Sequence, residues 1–554
     1  MVELSAQKPW QHYARLLRPE AADLRTIVVY GVASALLTLA VPLTVDALIS
    51  NITFGTLLTP LVVLVWVLLG CLVLHNSLRA LQAYIAEIVE RRIFTRIVGD
   101  LAWRLPRVDI RAFDRRYGPE LVNRFFDTVT VQKSSTKLVL DATNFVLTTG
   151  VGMVVLAFYH PLLLGFSIAL LIALIFVVFV MGFGGVRTAV EESSAKYEVA
   201  AWLQELARHT TAFCTQGGAT FAIERADRLA GEYVAARKRH FRILFRQILG
   251  SFVLQVIAST AMLGFGGFLV IDQQLTPGQL VASELIVTAV VANVTKLGGV
   301  LQSWYDVCAS SAKLGSLIDL PLERQGGEEL PSATQELGMK IEIAGVSCGI
   351  VDEDGEDRPL TLTIEAGERV SLSGSPGGRA SLLLDILTGL REAPCGYVML
   401  DGYDVRQLRL EDVRDGIALV HGTEIVEGSV IDNIRFGRAN VDIESVRRAL
   451  VDVRLWDEIM ALPNGIDTEL TARFAPLTAS QASRLMLARA IVGSPRLLLL
   501  DGALDRLSPI VRSHVLETLL SQDRRWTLLV VTAHPDVLAA CNRTIEVEDG
   551  DDHE

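Results

Sequence analysis

Residues 374–381 read Gly-Ser-Pro-Gly-Gly-Arg-Ala-Ser, between an apolar run at 370–373 and a second at 382–390. A strand that enters a glycine-rich turn and leaves as a helix can cradle a phosphate chain with its backbone N–H groups. That chemistry also needs an ammonium on the β- and γ-phosphates, and the residues where it belongs are Arg379 and Ala380. Gly374, Gly377 and Ser381 keep the pattern, and Ser375 and Gly378 belong to the same turn. Beyond residue 330 the sole lysine is Lys340, on a different predicted strand well upstream. A guanidinium is a planar fork rather than a compact point charge, and at a glycine position its bulk competes with phosphate for space.

The elements that must hold this turn belong to a chain that is not a simple soluble protein. It has 554 residues, 51% of them hydrophobic, a formal charge of −12 and a mean hydropathy of +0.39. The charge divides unevenly, about +3 up to residue 330 and about −15 after it. An acidic C-terminal part lacks the basic face that nucleic-acid phosphates require. The six cysteines show no C-x-x-C spacing, which argues against a disulfide framework and a zinc site and for reduced thiols. Residues 1–25 are polar and charged, without the apolar core of a cleaved signal peptide.

Apolar stretches able to cross a bilayer of about 30 Å recur at 27–49, 57–75, 144–159, 162–185, 252–271 and 280–301. Extending the third back to 137 makes it a full crossing. Short turns join the spans in pairs, and two long connections separate the pairs. The long connections hold 12 basic residues from Arg79 to Lys137 and 10 from Arg187 to Arg246. That bias puts them, and both termini, in the cytoplasm. Helical periodicity continues into both connections, and turn formers interrupt each once, at 117–119 and 216–218. Two cytoplasmic tips result, around Phe113, Gly118 and Glu120 and around Gly217 and Phe221. Either they are solvated helical loops or they dock a cytosolic domain. Within or near the spans, Asp46, Asp141, Glu284, Asn293 and Lys296 are costly in lipid and must face protein or water.

A polar linker follows at 325–335. After it, short β-rich runs at 340–343, 368–372, 397–400, 417–420, 497–500 and 527–531 alternate with helical segments, predicting an α/β domain on a buried parallel sheet. The predicted layout is an N-terminal cytoplasmic segment (1–26), a six-span domain with long cytoplasmic helices (27–320), a linker (321–336) and a degenerate nucleotide-binding domain (337–550).

With these motifs in order, the chain resembles a half-transporter of the ATP-binding-cassette (ABC) exporters, over nearly its whole length. The fold implied is a six-span membrane α-helical domain fused to a cytosolic α/β P-loop-type ABC domain. The turn at 275–282 and the stretch Lys313-Leu314-Gly315-Ser316-Leu317 are most similar to haemolysin-type (type I secretion) and bacteriocin exporters without a peptidase domain. That resemblance implies a multi-pass protein of a bacterial inner membrane, with peptide or protein cargo and an envelope-spanning adaptor; a lipid or small amphiphile is the other cargo class.

The resemblance also assigns landmarks to positions, and several depart from the family pattern. The adenine-stacking aromatic falls on Ile350, which has no π surface. The magnesium- and water-sensing glutamine falls on His421. Asp501 takes the magnesium-side aspartate and Ser381 the magnesium-side hydroxyl, but the catalytic glutamate falls on Gly502, and Ser508 replaces an aspartate in the loop beyond. His534 matches the switch histidine. The signature that reads a partner's nucleotide is Thr478, Ala479, Ser480 and Gln481, with two glycines lost. Catalytic function is therefore not expected from Ala380, His421 and Gly502. The expected function is a pseudo-ATPase subunit supplying half of a translocation path to an ATPase-competent partner, with ATP and magnesium held at the partner-composed site. Two alternatives stand beside it: a non-transporting membrane scaffold or regulator, and a homodimeric enzyme using Arg379, Asp505 and His421.

Overall fold

The computed structural model describes residues 9–54, 58–114, 118–215, 217–330, 338–348, 359–374 and 377–547. Ile350 and Ser375 lie outside these, as do the side chains of Pro119 and Glu120. The chain divides into two compact units, Met1–Arg107 with Arg115–Pro321, and Val108–Asp114 with Leu322–Glu554.

The first unit is helical. Among the described residues, six helices are long and apolar enough to cross a membrane. Leu58–Arg104 has 47 residues and Gly218–Ile271 has 54. At 1.5 Å per residue they reach about 70 and 80 Å, far beyond a hydrocarbon layer of about 30 Å. The first crossing is two helices, Ala21–Thr38 and Ala40–Phe54. Asp46 lies at the start of Pro277–Ile318, where a Cβ on Gly278 would come within 2.4 Å of its Oδ1. A carboxylate at a helix N-terminus complements the positive end of the dipole, which gives Asp46 a structural role.

The fourth crossing breaks from Pro161–Ile175 into a π-turn at Phe176–Val180 and restarts as Gly185–Arg208 behind Gly184, whose φ is +84°. A break exposes carbonyls, and in a membrane they must find donors within the protein. Gln247 Nε2 donates to Val178 O at 3.1 Å, and Arg246 donates to Met181 O at 2.9 Å. Tyr305 Oη donates in turn to Gln247 Oε1 at 3.0 Å. The Tyr305 ring lies so close that a Cβ on Gly185 would approach its Cζ within 2.4 Å.

The second unit is an α/β domain. Its strands are β1 (Ile341–Val346), β2 (Leu360–Ile364), β3 (Arg369–Ser373), β4 (Tyr397–Leu400), β5 (Tyr403–Asp404), β6 (Ile417–His421), β7 (Gly428–Ser429), β8 (Glu469–Leu470), β9 (Leu497–Asp501), β10 (Thr527–Thr532) and β11 (Arg543–Glu546). Five form a parallel sheet in the order β11-β3-β10-β9-β6. Every residue of β9 and β10 is buried, the pattern of a sheet covered on both faces. The expectation of one parallel sheet needs correcting: β1 and β4, the runs at 340–343 and 397–400, lie in a separate antiparallel sheet, β2-β1-β4-β5. Their alternation explains this, since in β1 Ile341 and Ile343 are buried and Glu342 is not, as a strand with one solvated face requires.

Much of the polar stretch read as a linker is pinned within this unit. Glu323 pairs with Arg414 at 2.7 Å, Glu328 N donates to Gln407 O at 2.7 Å, and Arg409 N donates back to Glu328 O at 2.9 Å. These bonds form because Glu328 and Leu408 run parallel as an isolated bridge.

Replacing Gly185 by Ala forces a methyl into the Tyr305 ring, an overpacking that costs about 1–3 kcal/mol. The variant should melt several degrees below wild type in a detergent thermal-shift assay, and Gly185→Ala/Tyr305→Leu should recover part of the loss. Equal melting of Gly185→Ala and wild type would contradict the packing.

Candidate functional site

The parallel sheet delivers its functional residues at the C-terminal ends of adjacent strands. β3 runs into the glycine-rich turn and the helix Arg379–Leu387. Gly377 takes φ +89°, a conformation that favours glycine. Its N–H donates to Ser381 Oγ at 2.7 Å, so this amide is satisfied inside the turn. Ala380 is fully buried in the core that includes Val370, Leu383 and Leu384. Arg379 is buried at the first position of the helix, 7% exposed.

β6 and β9 pair in parallel with His421 opposite Asp501, so the ladder register itself brings the two side chains together. His421 Nδ1 lies 2.7 Å from Asp501 Oδ2. The Asp501 side chain is 1% exposed, and its Oδ1 is buried with no partner. The hydrogen bond to Asp501 holds the His421 pKa above its ordinary value, against the opposing pull of burial.

Gly502 follows Asp501 with φ +59°, and its N–H donates to Val531 O at 3.0 Å. A side chain there would sit in the left-handed region, at about 1–2 kcal/mol. In the next loop Asp505 accepts from Thr532 Oγ1, which itself accepts from His534 N at 3.1 Å. His534 thus opens the helix Pro535–Ala540 next to the loop that follows β9. Arg506 Nη1 donates to Thr423 Oγ1 at 2.9 Å, bridging the same two strand ends on the His421 side. Ser508 precedes the helix Pro509–Leu519 without a side-chain cap bond.

Thr478 and Gln481 form a capping box at the helix Ala479–Ile491. Gln481 N donates to Thr478 Oγ1 at 3.3 Å, and Thr478 N donates to Gln481 Oε1 at 2.7 Å. Ala479 and Ser480 fill the first turn with side chains where the family has glycine. The sequence reading missed what braces this turn: Gln481 Nε2 donates to Glu458 Oε2 at 2.7 Å, and buried Arg484 donates to both Glu458 oxygens at 2.8 Å. Arg484 holds the Glu458 carboxyl below the usual range. An arginine inside the apolar pattern 484–490 was the available signal, because a buried guanidinium demands a carboxylate.

The expected tips differ in character. Val108–Asp114 groups with the second unit, and within it Asp114 accepts two bonds from Arg391, at 2.6 and 2.9 Å, while Arg391 also reaches Asp385 at 3.1 Å. The two carboxylates raise the Arg391 pKa, and Arg391 lowers that of Asp114. Phe113 adjoins this pair in sequence and is half-buried, and Gly118 begins the short helix Gly118–Val122. In the other tip Gly217, with φ +84°, precedes the helix Gly218–Ile271. There Trp202 packs edge-on against Phe213 and Phe221, at ring separations of 5.6 and 5.8 Å.

Comparison with known proteins agrees with this architecture. Residues 24–294 match the ABC transporter transmembrane region, and residues 358–505 match the ABC transporter family. A bacterial Atm1-family ABC exporter with ATP bound has the same fold, with a TM-score of 0.84 over 96% of this chain and 94% of that one, at 18% identity. The chain belongs to the ABC transporters and is a multi-pass membrane protein, in which a transmembrane region is followed by an ABC domain in an exporter-type fold.

Among sequence relatives, an ATP-dependent lipid A-core flippase of Methylobacillus flagellatus is 26% identical over 86% of this chain and 81% of its own length. A multidrug efflux ATP-binding/permease protein of Mycobacterium tuberculosis is 27% identical over 57% of this chain and 26% of its own length. The chain spans about a quarter to a half of the length of the first curated relatives it matches.

The His421–Asp501 pair has a pH signature. With the folded pKa of His421 raised, its stabilisation is fully present below about 6.5, the unfolded value, and fades as pH rises through the folded one. Wild type should therefore out-melt His421→Gln most clearly near pH 5.5, with the margin shrinking toward pH 8 in matched thermal scans. A margin that grows with pH would show that the imidazolium is not what Asp501 holds.

Proposed function

We propose that this half-transporter is catalytically degenerate and works beside an ATPase-competent half. ABC half-transporters in general act as dimers, and the family's ABC domain in general binds ATP and magnesium. Here the observation that carries the reading is the His421–Asp501 pair at 2.7 Å. Magnesium takes oxygen ligands in near-octahedral geometry. The aspartate that would help hold it is sealed from solvent and engaged by an imidazole. The other candidate ligand, Ser381 Oγ, already accepts from Gly377 N. With one Asp501 oxygen committed to His421 and Ser381 Oγ already bonded once, only Asp501 Oδ1 and one Ser381 lone pair are left for the ion.

Two further losses act in the same direction. Ala380 offers no ammonium to the phosphates and is buried in the core. Gly502 offers no carboxylate to polarise water, and general-base assistance is typically worth 10²–10⁴, about 3–5 kcal/mol of barrier. Its positive φ also disfavours a simple return to glutamate. The signature is more intact, since Thr478 and Gln481 still organise a helix N-terminus that can face an anion. A partner's phosphate loop could complete one working site against it, with Thr478–Gln481 as the contribution of this chain. The specific observation favouring the scaffold reading is that Ala479 and Ser480 crowd that same turn.

Purified alone in lipid nanodiscs, the chain should hydrolyse ATP at least about 100-fold more slowly than a complex with an intact half-transporter. In the complex, removing the partner's catalytic carboxylate should abolish turnover, while Asp501→Asn in this chain should leave most of it. ATPase activity of the isolated chain that disappears in Asp501→Asn would defeat the proposal. Failure of any intact half to associate would favour the scaffold.

A further inference from the structure

The most informative unexplained cluster lies in the membrane-spanning unit. A cavity of about 210 Å³ is lined by Arg79, Asp141, Asn144, Asn293 and Lys296, with Ser34 and His75 on one wall. Ser34 and His75 are bonded to each other, with Ser34 Oγ 3.0 Å from His75 Nδ1. The two cations and the carboxylate are not: Arg79, Asp141 and Lys296 have no ion-pair or hydrogen-bond partner in the described structure, and neither have Asn144 and Asn293. Three unpaired charges in one cavity of a membrane domain are expensive unless water or a ligand meets them.

Their depth is also shared. Lys296 is 19 residues into Pro277–Ile318, Asp141 is 18 residues before Tyr159 at the end of its helix, and Arg79 is 21 residues past Leu58. At 1.5 Å per residue these are about 27–32 Å from the helix ends at the short turns, one hydrocarbon thickness. With the helix ends at the short turns taken as one membrane surface, all three fall near the headgroup level of the other, on the side of the long connections. Arg79 and Lys296 can hold an anionic group by charge-assisted hydrogen bonds, and Asp141 can hold an accompanying ammonium. Apolar Phe145, Ala289 and Val300, with Thr38 and Thr148, complete the lining.

We infer that this cavity is a binding site for a zwitterionic amphiphile, its phosphate or carboxylate on Arg79 and Lys296 and its ammonium on Asp141, entering laterally from the adjacent leaflet. The shared depth favours a lipid over a soluble peptide, because a lipid headgroup already lies at that level while its chains remain along the apolar faces. The inference rests on the spans forming a translocation path and is independent of whether the ABC domain hydrolyses ATP.

The test is native mass spectrometry of the full chain in detergent, without nucleotide, against dilauroyl phosphatidylethanolamine, dilauroyl phosphatidylglycerol and dilauroylglycerol. Wild type should bind the phosphatidylethanolamine about tenfold more tightly than the neutral diacylglycerol, the scale of one charge-assisted hydrogen bond. Arg79→Ala/Lys296→Ala should erase the preference for both phospholipids. Asp141→Asn should erase only the preference for phosphatidylethanolamine over phosphatidylglycerol. Arg79→Lys and Lys296→Arg should keep wild-type binding, separating loss of charge from loss of fold. No phospholipid preference in wild type, or a preference unchanged in the double alanine variant, would overturn the site. Displacement of the lipid by a tenfold lower concentration of a zwitterionic amphipathic peptide would overturn the lipid assignment in favour of peptide cargo. Because no nucleotide is present, ATPase activity of the isolated chain would leave these outcomes unchanged.

Discussion

The register of the parallel ladder between β6 and β9 governs the nucleotide-side chemistry. In a strand a shift by one residue turns every side chain to the opposite face. Held as it is, His421 meets Asp501 at the ends of two neighbouring strands. The phosphate turn leaves β3, two positions away in the same sheet, and His534 follows β10 between them. A single hydrogen-bonded scaffold thus fixes four functional positions, whatever residues occupy them.

Such a scaffold holds together whether or not the residues at its strand ends bind phosphate. The sheet depends on fully buried aliphatic strands and on bonds such as Thr527 Oγ1 to Met339 O at 2.7 Å, none of which needs a phosphate ligand. The substitutions at the strand ends are compatible with this core. Ala380 adds to its packing, Gly502 suits a left-handed turn, and His421 supplies a counter-charge for a carboxylate that would otherwise be buried alone. Pairing a buried charge avoids a desolvation penalty of several kcal/mol. The same logic reaches the helix that begins at Ala479, where Arg484 and Gln481 share Glu458 and brace its first turn.

Much of this was legible in the sequence, for physical reasons. Six apolar stretches long enough for a bilayer read as six crossings, and all six strand runs recognised became β1, β3, β4, β6, β9 and β10. Short or half-exposed strands were missed: β2, with its alternating threonines, and the edge strand β11 have too little apolar content to stand out. The assignment of β1 and β4 to the parallel sheet failed because partner direction is a long-range property that a local run does not encode. His421 and Asp501 were each recognisable as landmarks, yet their mutual contact was not, since it depends on strand neighbours 80 residues apart in the chain. The break in the fourth crossing was likewise invisible within its own stretch, because its carbonyls are satisfied by Arg246 and Gln247 from another helix.

The helix Gly218–Ile271 is a single uninterrupted rod of 54 residues, about 80 Å from end to end. Such a rod works as a lever: a tilt of about 5° displaces its far tip by roughly 7 Å for this length. Slight changes in its packing against Pro277–Ile318, the helix that carries Lys296, would be magnified into motion several atoms wide at the end that carries Phe221. The aromatic clasp of Trp202, Phe213 and Phe221 at that end keeps the movement from being dissipated in a loose loop.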